Sequence, residues 1–264
     1  MSFLKELLGN RKLILNLAKN DFKTKYAGSY LGIIWAFIQP VITVLVYWFV
    51  FEIGLRQTGN SDVPFVLWLI AGLVPWLFFS DALNGGTNSL LEYNYLVKKV
   101  VFKISVLPIV KILSAFFVNV FFILFTMVIY ACYGKYPDLY YLQIIYYIIC
   151  VFMLVLGLSY LTSAVVIFFR DLTQIINIIL QIGVWMTPIM WNIDTMGLSS
   201  KITFILKLNP MFYVVQGYRD VLINKIWFWE HGTMTIYFWS FTLISFILGA
   251  IVFKRLKIHF ADVL

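Results

Sequence analysis

From Tyr140 to Phe169 the chain runs for 30 residues without one charged side chain. At 1.5 Å rise per residue a helix of that length reaches about 45 Å, longer than the roughly 30 Å hydrocarbon core of a bilayer. Composition extends the constraint to the whole chain. Of its 264 residues 62% are hydrophobic and 12% charged, where soluble domains carry about 25% charge. A water-soluble domain of this size cannot hide that much apolar surface, and the same numbers exclude intrinsic disorder. The fold class is therefore an all-α integral membrane protein, because long uncharged runs specify helices rather than a barrel. The spans fill the chain and leave no room for a soluble catalytic domain.

Six segments are long and apolar enough to span: 31–53, 63–83, 104–133, 140–169, 172–193 and 232–253. Glu52 and Asp81 fall at span ends, and Lys111 in the first turns of the third is placed to snorkel. The stretch 197–230 is different. Lys207, Asn209, Pro210, Arg219 and Asp220 interrupt it, and its uncharged run between Lys207 and Arg219 is only 11 residues. That run is too short to cross and predicts a re-entrant helical hairpin before the last span, broken at Asn209-Pro210.

The net charge of +8 reads as topology rather than as affinity for nucleic acid. Six spans put both termini on one side. With that side cytoplasmic, 13 Lys and Arg face inward against 6 outward, which fits the inward bias of basic residues and their attraction to anionic lipid. Cys132 and Cys150 lie in apolar runs and read as small buried hydrophobes rather than a disulfide framework.

Residues 1–28 form the predicted interfacial helix. They hold no compact apolar core before a small-residue cleavage site, so no cleavable signal is expected and the first span inserts the protein. At 100° per residue Ile14, Leu15, Ala18 and Phe22 share one face, and Lys12, Asn16, Lys19, Asn20 and Lys23 the opposite one. A basic amphipathic helix just before a span belongs in the cytoplasmic interface, as a lipid anchor or a docking surface.

No catalytic constellation stands out. His231 and His259 are isolated, so no metal site is suggested. There is no phosphate-binding G-x-x-x-x-G-K-[ST] loop; Gly134-Lys135 is followed by Tyr136. Carboxylates at span ends disfavour ion-gradient coupling, which usually needs acids near mid-membrane. The spans do carry aromatics and amides: Trp35, Gln39, Tyr47 and Trp48 in the first, Asn119 in the third, Gln143, Tyr146 and Tyr147 in the fourth. In the fifth, Gln174, Asn177 and Gln181 fall on one helical face, with Trp185 beyond. A polar stripe in lipid must face protein or water. Aromatic faces and amides suit sugar rings and hydroxyls, but they equally suit interhelical packing and interfacial belts.

Several stretches carry a resemblance. NDFKTKYAGSYLGIIWAFIQP (Asn20–Pro40), GLVPWLFFSDAL (Gly72–Leu83) and LVKKVVFKISVLP (Leu96–Pro108) come first. FFRD (Phe168–Asp171), TPIMW (Thr187–Trp191), LNPMFYVVQGYRD (Leu208–Asp220) and the tail RLKIHFADVL (Arg255–Leu264) follow. In this order they resemble the permeases of polysaccharide-export ABC transporters, the membrane subunits that export O-antigen and teichoic acid. One departure is Phe102-Lys103-Ile104, where the family usually reads Phe-Pro-Arg.

The resemblance implies the bacterial cytoplasmic membrane and a homodimer bound to two nucleotide-binding subunits, which carry ATP and Mg; this chain would bind no cofactor. Lys12, Lys19, Glu92, Tyr93, Lys98, Lys99, Arg170 and Asp171 would meet the ATPase, with the loop near 85–103 inside. Asp171 is also placed to cap the fifth helix. The cargo implied is a long glycan on undecaprenyl diphosphate. Lys23, Lys25 and Arg170 would attract that diphosphate. Trp35, Gln39, Tyr47, Gln174, Asn177, Gln181 and Trp185 would line the path, and Asn209, Pro210, Tyr213 and Arg219 would shape the outer gate. Arg219 and Asp220 are placed to pair with each other or with lipid. A permease for a small lipid or drug and a gradient-driven carrier remain the alternative readings.

Overall fold

The computed structural model describes residues 9–55, 63–97, 103–193 and 196–263, and no strand occurs among them. The helices used below are α1 (Arg11–Lys25), α2 (Trp35–Trp48), α3 (Phe65–Glu92), α4 (Leu107–Cys132), α5 (Gln143–Val166), α6 (Leu172–Met186), α7 (Ser200–Lys207), α8 (Pro210–Arg219) and α9 (Gly232–Leu256). Among the described residues, five helical stretches are long and apolar enough to cross a bilayer. They are Gly32–Gly54, Phe65–Glu92, Ile104–Cys132, Leu139–Val166 and Phe228–His259.

Within the expected N-terminal segment 1–28, residues Arg11–Lys25 form a helix. Ile14, Ala18 and Asp21 are buried and α1 lies along α4, with Phe22 meeting Phe117 edge-on at 5.9 Å. Leu15 is exposed rather than on the buried face, as is Leu13. The chain then turns into α2 through Gly28 and Gly32, both at positive φ (91° and 53°), where a side chain would be strained.

α3 is the central element. It packs against α2, α4, α5, α6 and α8 and is buried over most of its length. Its end corrects the sequence reading: the helix continues past 83 to Glu92, so much of the expected loop at 85–103 is helix. The small polar residues there are bound rather than solvated. Thr87 Oγ1 lies 2.8 Å from Thr162 Oγ1 of α5, and Ser89 Oγ donates to the Gly86 carbonyl at 2.7 Å. With its partners paired, a polar turn costs little inside a bundle. Asp81 thereby falls well inside a helix instead of at a span end.

The fifth segment is also corrected. α6 has 15 residues, about 22 Å at the helical rise, and stops at Met186 rather than near 193. Pro188 disfavours helical backbone at the residue before it, and Thr187 is extended (φ −85°, ψ 126°). The stretch expected to break at Asn209-Pro210 does so. α7 and α8 flank the break, Asn209 caps α8 by accepting from Met211 N at 3.0 Å, and Pro210 takes the first turn. Cys150 is buried as expected, but Cys132, at the end of α4, is exposed.

Helices in lipid gain little from apolar burial against each other, so close backbone approach matters more. α5 and α9 cross through two glycines. A Cβ on Gly249 would stand 2.5 Å from the Gly157 carbonyl oxygen, and one on Gly157 2.9 Å from Phe246 N. Both obstacles are backbone and cannot rotate away. Gly249→Val should therefore destabilise the protein by about 1–3 kcal/mol or more, as overpacking does. Thermal melting in detergent would show a lowered midpoint, while Gly232→Ala, with open space around it, stays near wild type.

Candidate functional site

Charge is concentrated where α1 meets the ends of α3 and α4. Lys111 Nζ lies 2.6 Å from Asp21 Oδ1, both side chains about one-tenth exposed or less, and also pairs with Glu92. Tyr93 donates to Asp21 at 2.7 Å. Burial and that hydrogen bond hold the Tyr93 hydroxyl above its ordinary pKa, which keeps it a donor. Lys111 thus does not snorkel; its carboxylate partners are supplied by the neighbouring helices. Nearby, Lys25 Nζ lies 2.5 Å from Asp81 Oδ1. Burial pulls the Lys25 ammonium down, but the charge and hydrogen bond of Asp81 outweigh it, leaving its pKa above the ordinary value. A cavity of about 590 Å³ lies among these groups, lined also by Asn84 and Asn88.

Two further cavities follow α2. Trp35, Gln39, Thr43 and Tyr47 recur every four residues, so they share one helical face. Toward α4 a cavity of about 370 Å³ is bounded by Trp35, Gln39, Asp81 and Asn119. Toward α6 one of about 240 Å³ is bounded by Tyr47, Trp76, Asn177 and Gln181. Thr43, Leu77, Ser80 and Asn84 line both. Asn119 is 3% exposed and neither of its amide atoms has a partner among the described residues. A buried amide without a partner is costly, and this one borders a cavity able to hold hydroxyl groups.

The predicted path residues are therefore partly assembled. Trp35 and Gln39 line one cavity, Tyr47, Asn177 and Gln181 the other. Gln174 and Trp185 lie exposed on α6 and border neither. Sequence reasoning passed over Thr43, Ser80 and Asn84. The four-residue spacing on α2 pointed to Thr43, but Asn84 was hidden by ending the second span at 83.

The remaining predicted residues separate. Lys12, Lys19 and Lys23 are exposed on α1. Arg170 and Asp171 are exposed before α6. Asp171 holds the cap position but its side chain makes no capping bond; its backbone carbonyl accepts from Gln174 and Ile175. Thr173 instead ties the start of α6 to Asn88 of α3 at 2.8 Å. Lys98, Lys99 and Phe102 lie outside the described residues. At the other end of α3, Asn209 Nδ2 donates to Thr187 Oγ1 at 2.8 Å and Tyr213 sits in a ring cluster with Tyr146, Tyr147 and Phe238. Arg219 and Asp220 do not pair with each other. Arg219 Nη2 donates to the Ile189 carbonyl at 2.9 Å, and its guanidinium carbon lies 3.6 Å from the centroid of the Trp68 ring. Asp220 faces His231 at 3.0 Å and accepts from Gln216 and Asn224.

The site thus combines a bundle of apolar helices, an α1 pinned to it by ion pairs, and polar cavities beside α2. Residues 12–223 match the ABC-2 type transporter family. The chain belongs to that family. The matched span runs from α1 to the turn after α8. Similar ABC-2 relatives include an O-antigen export system permease protein of Myxococcus xanthus, 28% identical over 86% of this chain and 84% of the relative. The Klebsiella pneumoniae protein of the same description is 28% identical over 96% of this chain and 95% of its own length. The polysialic acid transport protein of Escherichia coli is 22% identical over 89% of each. This ABC-2 chain is thus a multi-pass membrane protein related over nearly its full length to polysaccharide export components.

The pinning of α1 has a testable energetic consequence. Lys111→Met leaves Asp21 buried beside Glu92 with no cation, a loss of about 3–5 kcal/mol by analogy with other broken buried pairs. The double variant Lys111→Met/Asp21→Leu should recover much of it, because the unpaired charge is gone. Denaturation in detergent measures both; equal stability of the single and double variants would show that the pair is not coupled.

Proposed function

We propose that this chain is the membrane-spanning permease of an ATP-driven exporter that moves lipid-linked polysaccharide out across the bacterial cytoplasmic membrane. The observation that carries the reading is the pair of polar, aromatic-edged cavities along α2, one bounded by Trp35, Gln39 and Asn119, the other by Tyr47, Asn177 and Gln181, which share Thr43, Ser80 and Asn84 and are read here as one furrow. Aromatic faces stack on sugar rings and amides bond their hydroxyls, without demanding one particular sugar. The relatives' descriptions as O-antigen and polysialic acid components support the same cargo class.

In this reading the chain acts as a pair of copies with two nucleotide-binding subunits, which hold ATP and Mg. α2 is the least covered crossing, with Ile42, Leu45, Val46 and Phe49 exposed, and α6 exposes Ile175, Ile178, Ile179 and Ile182. A second copy and membrane lipid would cover these faces and close the furrow into a path. α6 would be a sixth, short crossing, and α7 and α8 would re-enter from the outer side without spanning. Both termini would be cytoplasmic, which keeps the basic α1 and the Lys254–Lys257 cluster inside. α1, the residues around Glu92 and Tyr93, and Arg170-Asp171 would receive the ATPase; motion applied to α1 would reach α3 and α4 through Asp21, Lys111 and Glu92. Lys23 and Arg170, both exposed, would attract the carrier's diphosphate, while Lys25 is already held by Asp81.

Reconstitution with the ATPase encoded beside its gene tests the reading. Inverted vesicles should protect undecaprenyl-diphosphate-linked glycan only with ATP, and removal of the ATPase's catalytic carboxylate should abolish protection. Gln39→Leu and Gln181→Leu should slow export while leaving ATPase pairing intact. Pairing without any glycan movement would discard the cargo; no pairing would discard the exporter.

A further inference from the structure

At the end of α3 opposite the ion pairs lies a cavity of about 270 Å³. Six of the side chains around it are Trp68, Asn192, Lys207, Gln216, Arg219 and His231. Arg219 is 1% exposed, yet its Nε has no partner among the described residues. A guanidinium carries five N–H donors in a planar fork, and leaving one of them buried and unmade is costly. The neighbouring carboxylate does not relieve it. Asp220 is occupied by Gln216, Asn224 and His231. Trp68 backs the guanidinium as a cation–π partner stacked on its plane, which leaves the in-plane Nε–H unmatched. Lys207 adds a second, exposed cation at the same cavity. A guanidinium at the cavity wall, backed by a ring and joined by an ammonium, suits the oxygens of an anion.

We propose that this cavity binds an anionic group, a phosphate ester or a sugar carboxylate, held by Arg219 and Lys207 with Trp68 as its wall. The volume admits such a group and not a long glycan. Two sources share this chemistry: a charged residue of an exported glycan, which rests on the export reading, and the phosphate of a lipid headgroup.

Equilibrium binding to the full chain in phosphatidylcholine nanodiscs tests the site without ATPase or transport, so its failure is separable from failure of the export reading. The probes are glycerol 3-phosphate, methyl glucuronide and, as a neutral control, methyl glucoside. Saturable binding of at least one anion is expected, with the glucoside much weaker. Glycerol 3-phosphate alone would assign the headgroup chemistry, and glucuronide the glycan chemistry. Lys207→Gln, at an exposed position that should not disturb folding, should weaken the anion about tenfold, the scale of one charge-assisted hydrogen bond. Arg219→Gln, provided it melts cooperatively, should abolish binding. Equal binding of glucoside and anions, no saturable binding of any probe, or affinity unchanged in Lys207→Gln would each overturn the proposal.

Discussion

Within a bilayer no water is present to satisfy a stray polar group, and apolar burial does not by itself drive one helix onto another. This chain meets both conditions through α3. Its flanks present glycine where another element must come close, as at Gly86 against Ser159, and hydroxyls where a bond can be exchanged, as at Thr87 against Thr162. Five other helices rest on it. The glycine crossing of α5 with α9 extends the same device outward, so the bundle is held by close approach and paired polar groups more than by its abundant Leu, Ile and Phe.

The two ends of α3 then differ in kind. One is bound by carboxylates and ammoniums shared among α1, α3 and α4, which joins a surface helix rigidly to the bundle. Near the other, the guanidinium of Arg219, carried by α8, lies on Trp68 and donates to the Ile189 carbonyl. Between them the side of α3 next to α2 keeps Ser80 and Asn84 in contact with open cavities. This combination of firm ends and a furrow whose polar groups are not all spent on one another is what the proposed passage of a hydroxyl-rich cargo would need.

Much of this was legible in the sequence. Uncharged length gave five of the six expected crossings, the 3.6-residue pattern put a helix where α1 lies, and Asn209-Pro210 gave the break before α8. What escaped has a common physical cause. Sequence hydropathy treats each polar residue as a cost, whereas the structure supplies it with a partner from a distant part of the chain. Asn84 to Glu92 therefore looked like loop, Lys111 like a snorkelling side chain, and Arg219 with Asp220 like a local pair. Pairings such as Lys111 with Asp21, or Arg219 with Trp68, have no signature in local spacing. The early end of α6 was readable in Pro188 but was outweighed by the apolar run around it. Asn177 and Gln181 were legible as a stripe, yet Thr43, which borders the same cavity, belongs to another helix.

The central claim is that the furrow under α2 is the cargo's path. Cysteine labelling with a membrane-impermeant thiol reagent addresses it directly, after Cys132 and Cys150 are replaced by serine. The account predicts that Thr43→Cys, Ser80→Cys and Gln181→Cys are labelled in the assembled transporter and protected when lipid-linked glycan is present, while Leu45→Cys, exposed on the far side of α2, is neither. Labelling confined to Leu45→Cys, or furrow positions labelled without protection by glycan, would contradict it.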